Sequence, residues 1–260
     1  MPRSKGVGAH AVAWVVKRML WSLYKFHRRS ERPLERSLDS EKEAPVLVRL
    51  PGVYPAQHDS WALVEALKQE TLGSDSRVLD LCAGTGVLSV CAVKQGAGRV
   101  TAVDVSRRAF ATTWINARLH RRSVRVVRGD LTEPVRSERF DLVVSNPPYV
   151  PAETAGLPYS GVARSWDAGT DGRAVLDRIC VQVPDVLKAG GVLLLVQSSL
   201  SGIGKSQTML EERGLRVDVV SRVEVPFGPV LAARRDMLTQ RGVIGPGQRS
   251  EELVVLRAVR

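Results

Sequence analysis

With 260 residues the chain is long enough to bury one substantial α/β core, with little left over for a second large domain. Its apolar share of 44% and charged share of 25% are those of an ordinary soluble globular protein, not of a disordered chain. The formal net charge of +11 and the pI near 10.1 favour anionic partners such as RNA, ribosomes or acidic lipid and disfavour other basic proteins, although an Arg-rich proteome yields the same balance.

Residues 8–24 (GAHAVAWVVKRMLWSLY) are apolar, but Lys17 and Arg18 break the run well short of a transmembrane span. A signal peptide would need a cleaner apolar core and a small-residue cleavage site. The segment therefore reads as a basic amphipathic helix followed by Lys25, Arg28, Arg29, Arg32 and Arg36, suited to RNA, a ribosome or a membrane surface, or else as a loosely ordered tail. Residues 1–45 are set apart as a basic N-terminal helical extension and 46–260 as the main domain.

From Asp59 onward, helical and β-rich periods alternate. Asp59 or Ser60 caps a helix to about Thr71, burying Leu63, Val64 and Leu67, with Gly73 beyond its end. Arg77–Leu81 is a strand entering a glycine turn, and the helix after it uses Val87, Leu88, Val90 and Cys91 and stops near Gly96. Arg99–Asp104 is the second strand, and Ser106 caps a helix carrying Phe110, Trp114 and Ala117. Val124–Val127 and Phe140–Ser145 are the third and fourth strands. A long loop leads to a helix over 172–187 and the strongly apolar strand Val192–Val196. Leu215–Val225 and Glu252–Val259 are two further strands, separated by an Arg- and Gly-rich loop. Strand, helix and strand repeated in this way imply a parallel sheet with helices on both faces. Cys82, Cys91 and Cys180 lack metal-like spacing and read as reduced thiols of a cytoplasmic protein; the scattered His10, His27, His58 and His120 suggest no metal site.

The segment Val78 to Gly86 (VLDLCAGTG) is a strand, a tight turn and a helix start, with Gly84 and Gly86 allowing close approach of a ligand to the backbone. Asp104 ends the next strand at the offset of a ribose-binding carboxylate. Asp130 follows the third strand, where it and Leu131 could meet an adenine edge. A dinucleotide site would carry a third glycine where Val87-Leu88-Ser89 stands, and Asp80 would repel a pyrophosphate. A carboxylate there suits the amino group of a methionine moiety instead, so the pattern favours S-adenosylmethionine over NAD. The competing reading is that Asp80 only caps the turn.

After the fourth strand comes Asn146-Pro147-Pro148-Tyr149. Two prolines stiffen an extended turn at the carboxyl edge of the sheet, where open α/β folds place ligands. A planar NH₂ group could donate to the Asn146 amide oxygen and the Pro147 carbonyl while Tyr149 stacks on its π face. Drawing off both hydrogens favours a pyramidal, more nucleophilic nitrogen. Asn146, Pro147 and Tyr149 are therefore the candidate catalytic residues.

The chain resembles the HemK-type protein glutamine-N5 methyltransferases, particularly the short HemK2/Mtq2-like branch. The resemblance rests on Val53-Tyr54-Pro55-Ala56-Gln57-His58-Asp59-Ser60 (Pro55 one place early), Asp80 to Gly86 with Asp104, Asn146–Tyr149, and Ser165 to Arg173, where Ala168 departs from the family pattern. It implies a class I, Rossmann-like methyltransferase fold with a seven-stranded, mostly parallel sheet whose last strand is antiparallel. It further implies that Ser60, Asp80, the Cys82 backbone, Gly84, Asp104, Asp130, Leu131 and Asn146 line the cofactor. The expected reaction is N-methylation of a protein glutamine, in a substrate such as a translation release factor. The alternative is an exocyclic amine of rRNA, tRNA or DNA, because that too is a planar nitrogen needing two acceptors. Longer bacterial members carry a helical substrate-binding domain, for which the roughly fifty residues preceding the match are too few. Eukaryotic members work with a small activator protein, and nothing in the residues identifies a docking surface for one.

Overall fold

The computed structural model describes residues 44–120 and 123–260, all within the unit Leu38–Arg260, so the expected N-terminal helix lies outside the described residues. Seven strands form one sheet: β1 (Arg77–Leu81), β2 (Arg99–Asp104), β3 (Val124–Arg128), β4 (Phe140–Ser145), β5 (Leu187–Ser198), β6 (Arg216–Pro226) and β7 (Ser250–Val259). Their spatial order is β3-β2-β1-β4-β5-β7-β6. β1 to β5 run parallel, β7 lies antiparallel to β5, and β6 antiparallel to β7.

The helices are α1 (His58–Lys68), α2 (Val87–Lys94), α3 (Arg107–Leu119), α4 (Leu176–Val186), α5 (Ile203–Glu211), α6 (Pro229–Ala233) and α7 (Arg235–Gln240). α1 packs on α2 and α2 on α3, while α4 packs on α5. Right-handed crossovers from β1 toward β3, and from β4 toward β5 in the opposite direction, place these two groups on opposite faces of the sheet. Strands covered on both sides must be apolar throughout, and Val78, Leu79, Leu81, Val143, Val144 and Leu193 to Val196 are essentially without exposure. Each such side chain contributes about 1.5–3 kcal/mol by leaving water. α1 buries Leu63, Val64 and Leu67 as their spacing predicts, and the Ser106 hydroxyl caps α3 by accepting from the Ala109 amide.

Some element boundaries differ from the sequence reading. α1 stops at Lys68, short of Thr71, and α4 begins at Leu176 because Gly172 has φ +73° and the chain turns there. β5 begins early, at Leu187, and shifts register against β4 before the regular pairing from Val192. The Arg- and Gly-rich loop between β6 and β7 contains the short helices α6 and α7. Trp114 faces solvent on α3, with the Arg118 guanidinium 4.7 Å above its ring. No helix among the described residues is long and apolar enough to cross a membrane. Strand order reverses between β1 and β4, and the carboxyl ends of these strands open the crevice in which open α/β sheets hold ligands.

Candidate active site

The crevice is a cavity of about 930 Å³. Its lining includes Ser60, Cys82, Gly84, Asp104, Asp130 and Leu131 from the cofactor set, and Asn146, Pro147 and Tyr149 from the catalytic set. The structure thus gathers nine sequence-predicted residues that span 90 positions of chain. Asp80 and Gly86 stand outside the lining.

The glycine turn is held by its neighbours. The Gly84 amide donates to Asp104 Oδ2 at 3.0 Å, and the Ser106 amide donates to Asp104 Oδ1 at 2.8 Å. Thr113 Oγ1 on α3 donates to the Gly84 carbonyl at 3.1 Å. Gly86 has φ +77°, and a Cβ there would sit 2.7 Å from Thr113 Cγ2. Its role is close packing of the turn on α3, which accounts for its place behind the lining. Asn116, fully buried, donates to the carbonyls of Thr85 and Val48 at 2.8 Å each and accepts from the Val48 amide. Cys82 (φ +59°) and Leu131 (φ +49°) are the non-glycine residues with left-handed backbone among those described, and both lie on the cavity. Such strain persists where surrounding contacts over-determine it, as at ligand sites.

Asp80 has no exposed surface. Its Oδ2 accepts from the Ser89 amide at 3.0 Å and the Ser89 hydroxyl at 2.6 Å. It therefore caps the first turn of α2, whose N-cap residue Gly86 has no side chain to do so. The capping reading holds for one oxygen; the other, Oδ1, is buried without a partner. Burial pushes this carboxyl up to about 7, against the Ser89 hydrogen bonds. Asp130 meets Arg178 of α4 at 2.7 Å, a pairing no local pattern foretells.

The Asn-Pro-Pro-Tyr corner follows β4 directly. Asn146 Nδ2 donates to Ser60 Oγ at 3.2 Å, and the Tyr149 hydroxyl donates to Asp59 Oδ2 at 3.1 Å. Asp59 Oδ1 in turn accepts from the amide and hydroxyl of Ser60, at 2.6 and 3.2 Å. Both side chains of the corner are therefore tied to the start of α1. Burial, with Asp59 and Glu251 nearby, drives the Tyr149 phenol well above its usual value, so it stays a neutral donor. Among the described residues no donor reaches Asn146 Oδ1 or the Pro147 carbonyl, which leaves two acceptors beside the cavity.

The segment after the corner is braced from behind. The Val150 amide donates to Trp166 O, the Ala168 amide to Val150 O and the Ala152 amide to Gly169 O, so residues 166–169 lie as a short strap along 150–152. Arg173, 4% exposed, binds Asp177, Ser206 Oγ and the carbonyls of Ser201 and Gly202, and Ser201 Oγ donates to the Tyr149 carbonyl at 2.8 Å. From the other side Arg234 pairs with Asp167 at 2.6 Å, and Arg241 donates to the Ala152 carbonyl. The sequence alone marks Asp59 as a helix start and as part of the Val53–Ser60 segment, without a role, and does not single out Asn116, Ser201, Arg234 or Glu251; their partners are 28 to 90 residues away in most cases, and only the spacing of Asp59-Ser60 is visible locally.

A parallel α/β sheet closed by an antiparallel strand, with acid-ended β1 and β2 and a two-acceptor corner after β4, defines a class I S-adenosylmethionine-dependent methyltransferase. Residues 46–157 match the model of the methyltransferase small domain. A Methanocaldococcus jannaschii protein assigned as an N5-glutamine methyltransferase is 34% identical over 177 residues, covering 68% of this chain and 88% of its own. The release factor glutamine methyltransferase of Geobacter sulfurreducens is 33% identical over 192 residues, covering 70% of this chain but 66% of its own length. Among solved structures, the Mtq2–Trm112 complex of E. cuniculi, described as responsible for methylation of the termination factor eRF1, aligns with TM-score 0.56 and 25% identity over 80% of this chain and 99% of that one. The chain belongs to the HemK-type protein glutamine-N5 methyltransferase family. Its match to nearly full-length short relatives, against two thirds of the longer bacterial enzyme, agrees with the short HemK2/Mtq2-like branch.

Proposed function

We propose that residues 46–260 form a catalytic domain that methylates the side-chain amide nitrogen of a glutamine in a protein of the translation machinery, a release factor being the favoured substrate, in the cytoplasm. The observation that carries this reading is the pair of unengaged acceptors, Asn146 Oδ1 and the Pro147 carbonyl, on a corner fixed at the edge of the cavity. A primary amide offers two N–H donors in one plane, which those acceptors match. Asn146 and the Pro147 carbonyl hold that nitrogen, Tyr149 flanks its face, and the hydrogen bonds strengthen as the nitrogen gains positive charge.

S-adenosylmethionine fits the residues present and supplies a methyl group on a positively charged sulfur. Asp104 would hold the ribose hydroxyls, since each of its oxygens keeps a lone pair beyond its backbone bond. Asp130 and Leu131 would flank the adenine, with Cys82 and Gly84 offering backbone and Ser60 and Asn146 lying toward the methyl end. The buried, unpartnered Oδ1 of Asp80 leaves an acceptor beneath the turn, and a cationic ligand above it would draw this carboxyl toward its charged form.

Incubating the purified protein with labelled S-adenosylmethionine and, separately, release factors and ribosomal RNA tests the reading. Label is expected on a release factor and to vanish when the glutamine of its GGQ loop is changed to Ala; label on RNA alone would overturn the assignment. That second outcome has one observation in its favour: Arg107, Arg108, Arg128, Arg164 and Arg178 all line the cavity, and the chain carries a net charge of +11. It would make an exocyclic amine of a nucleobase the substrate, held by the same two acceptors.

A further inference from the structure

We infer that Asp59 is a positioning residue for the reaction: acting through Ser60, it sets which end of the Asn146 amide faces the substrate. The inference rests on the proposed role of Asn146 as an acceptor for the reacting NH₂ group. An asparagine side chain has an oxygen and an NH₂ of nearly equal size, and a corner that presented the NH₂ would meet the substrate donor to donor. Pro147 and Pro148 fix the backbone of the corner but leave this choice open.

The chain of hydrogen bonds removes it. A carboxylate only accepts, so the Ser60 hydroxyl, 3.2 Å from Asp59 Oδ1, must give its single proton to Asp59. Ser60 Oγ then has only lone pairs for Asn146 and must receive the amide NH₂, 3.2 Å away. Asn146 Oδ1 is left as the free end, which is the polarity the reaction needs. Asp59 is well suited to start such a chain because it is 4% exposed and its own position is fixed twice more, by the Ser60 amide at 2.6 Å and the Tyr149 hydroxyl at 3.1 Å. One buried carboxylate thus orients both side chains of the corner. Directional hydrogen-bond chains in a poorly solvated interior strengthen one another, so the preference is larger than a single exposed bond would give.

Asp59→Ala removes the acceptor that fixes the serine proton; Asp59→Asn would not, because its oxygen must stay where Oδ1 accepts the Ser60 amide. Without the carboxylate the Ser60 hydroxyl can point its proton at Asn146 Oδ1, and the Asn146 amide turns over.

The test is a double-mutant cycle of Asp59→Ala and Ser60→Ala, reading kcat on the methyl-accepting substrate, cofactor affinity by calorimetry, and melting temperature. Each single variant is expected to lower kcat at least tenfold, Asp59→Ala with cofactor affinity within about threefold, and the double variant to be no worse than the poorer single one, because both break the same chain. Losses that multiply in the double variant, or kcat and cofactor affinity falling together in Asp59→Ala, would overturn the inference. Ser60→Ala is read by kcat alone, because Ser60 also lies toward the cofactor; it carries the test should Asp59→Ala fold poorly, and an unchanged kcat in it would equally sink the relay. Wild-type turnover on glutamine or on a nucleobase amine identifies the substrate separately. The ratio of variant to wild type is read with whichever of the two is methylated.

Discussion

At the residue scale the site depends on a few atoms whose directions are set from far away. Asn146→Ala is expected to reduce turnover roughly 100-fold, the cost of removing one preorganised acceptor, while cofactor affinity changes much less. Equal losses in turnover and in calorimetric affinity would assign Asn146 to cofactor holding instead. Gly172→Ala is the sharper structural probe. Gly172 has φ +73°, and a Cβ there would press on the Tyr149 carbonyl and on Pro151, part of the rigid corner itself. A loss of about 1–3 kcal/mol by denaturant titration, with a matching fall in kcat, is expected. An unchanged midpoint would show that the strap does not bear on the corner. At this scale the glycine turn, Asp104 and the Asn-Pro-Pro-Tyr corner were legible because each is a local pattern with one backbone consequence. Asp80 was half legible: a carboxylate at that place was visible, but not that Ser89, nine positions on, would engage one oxygen. The Asp59–Tyr149 contact was not legible, since the two lie 90 residues apart and meet only once the corner after β4 reaches the start of α1.

At the scale of elements, the parallel strands were legible because burial on both faces demands apolar runs, and β1, β2 and β4 fall where those runs predict. The short helices α6 and α7 were not. Proline, glycine and four arginines over 228–249 make the segment look like an open loop. Its helices persist because Leu231, Leu238 and Ile244 form a small core of their own against Val150 and Leu200. That core explains what the insertion does. It carries Arg234 and Arg241 to the strap behind the active-site corner, so a surface excursion between two antiparallel strands becomes part of the site's support. Arg234→Ala is accordingly expected to speed hydrogen exchange at the Val150 and Ala152 amides while the β5 and β7 amides keep their protection. Faster exchange throughout the sheet would mean that α6 and α7 support the whole fold. Arg173→Met should be the costlier change, about 1–3 kcal/mol, because it leaves the buried Ser201 carbonyl and the Gly202 carbonyl without their donor while Asp177 keeps Lys205.

At the scale of the whole molecule, closing the sheet with β7 between β5 and β6 brings Glu251 to the edge beneath the corner, where it is 8% exposed and feels Asp59, Tyr54 and Tyr149. Burial is the main force that pushes its carboxyl up to about 7, and Asp59 adds repulsion while a hydrogen bond with Ser198 opposes the rise. Between its ordinary value of 4.5 and about 7, the folded protein keeps a proton on Glu251 that the unfolded chain has released. Folding then binds protons, so stability is fully present below 4.5 and declines as pH rises through 7. At roughly 1.4 kcal/mol per pH unit the full effect is about 3 kcal/mol. Glu251→Gln keeps the shape of the protonated acid and removes the titration. Chemical denaturation across pH 5 to 8 should therefore find the variant close to wild type at the acid end and progressively more stable than wild type toward pH 8. A constant offset between the two curves would mean that Glu251 holds its charge in the fold and that the cluster under the corner contains two carboxylates at neutral pH. A divergence that opens with rising pH would show that the corner stands over one charge, Asp59, with Glu251 remaining its neutral neighbour up to near neutrality.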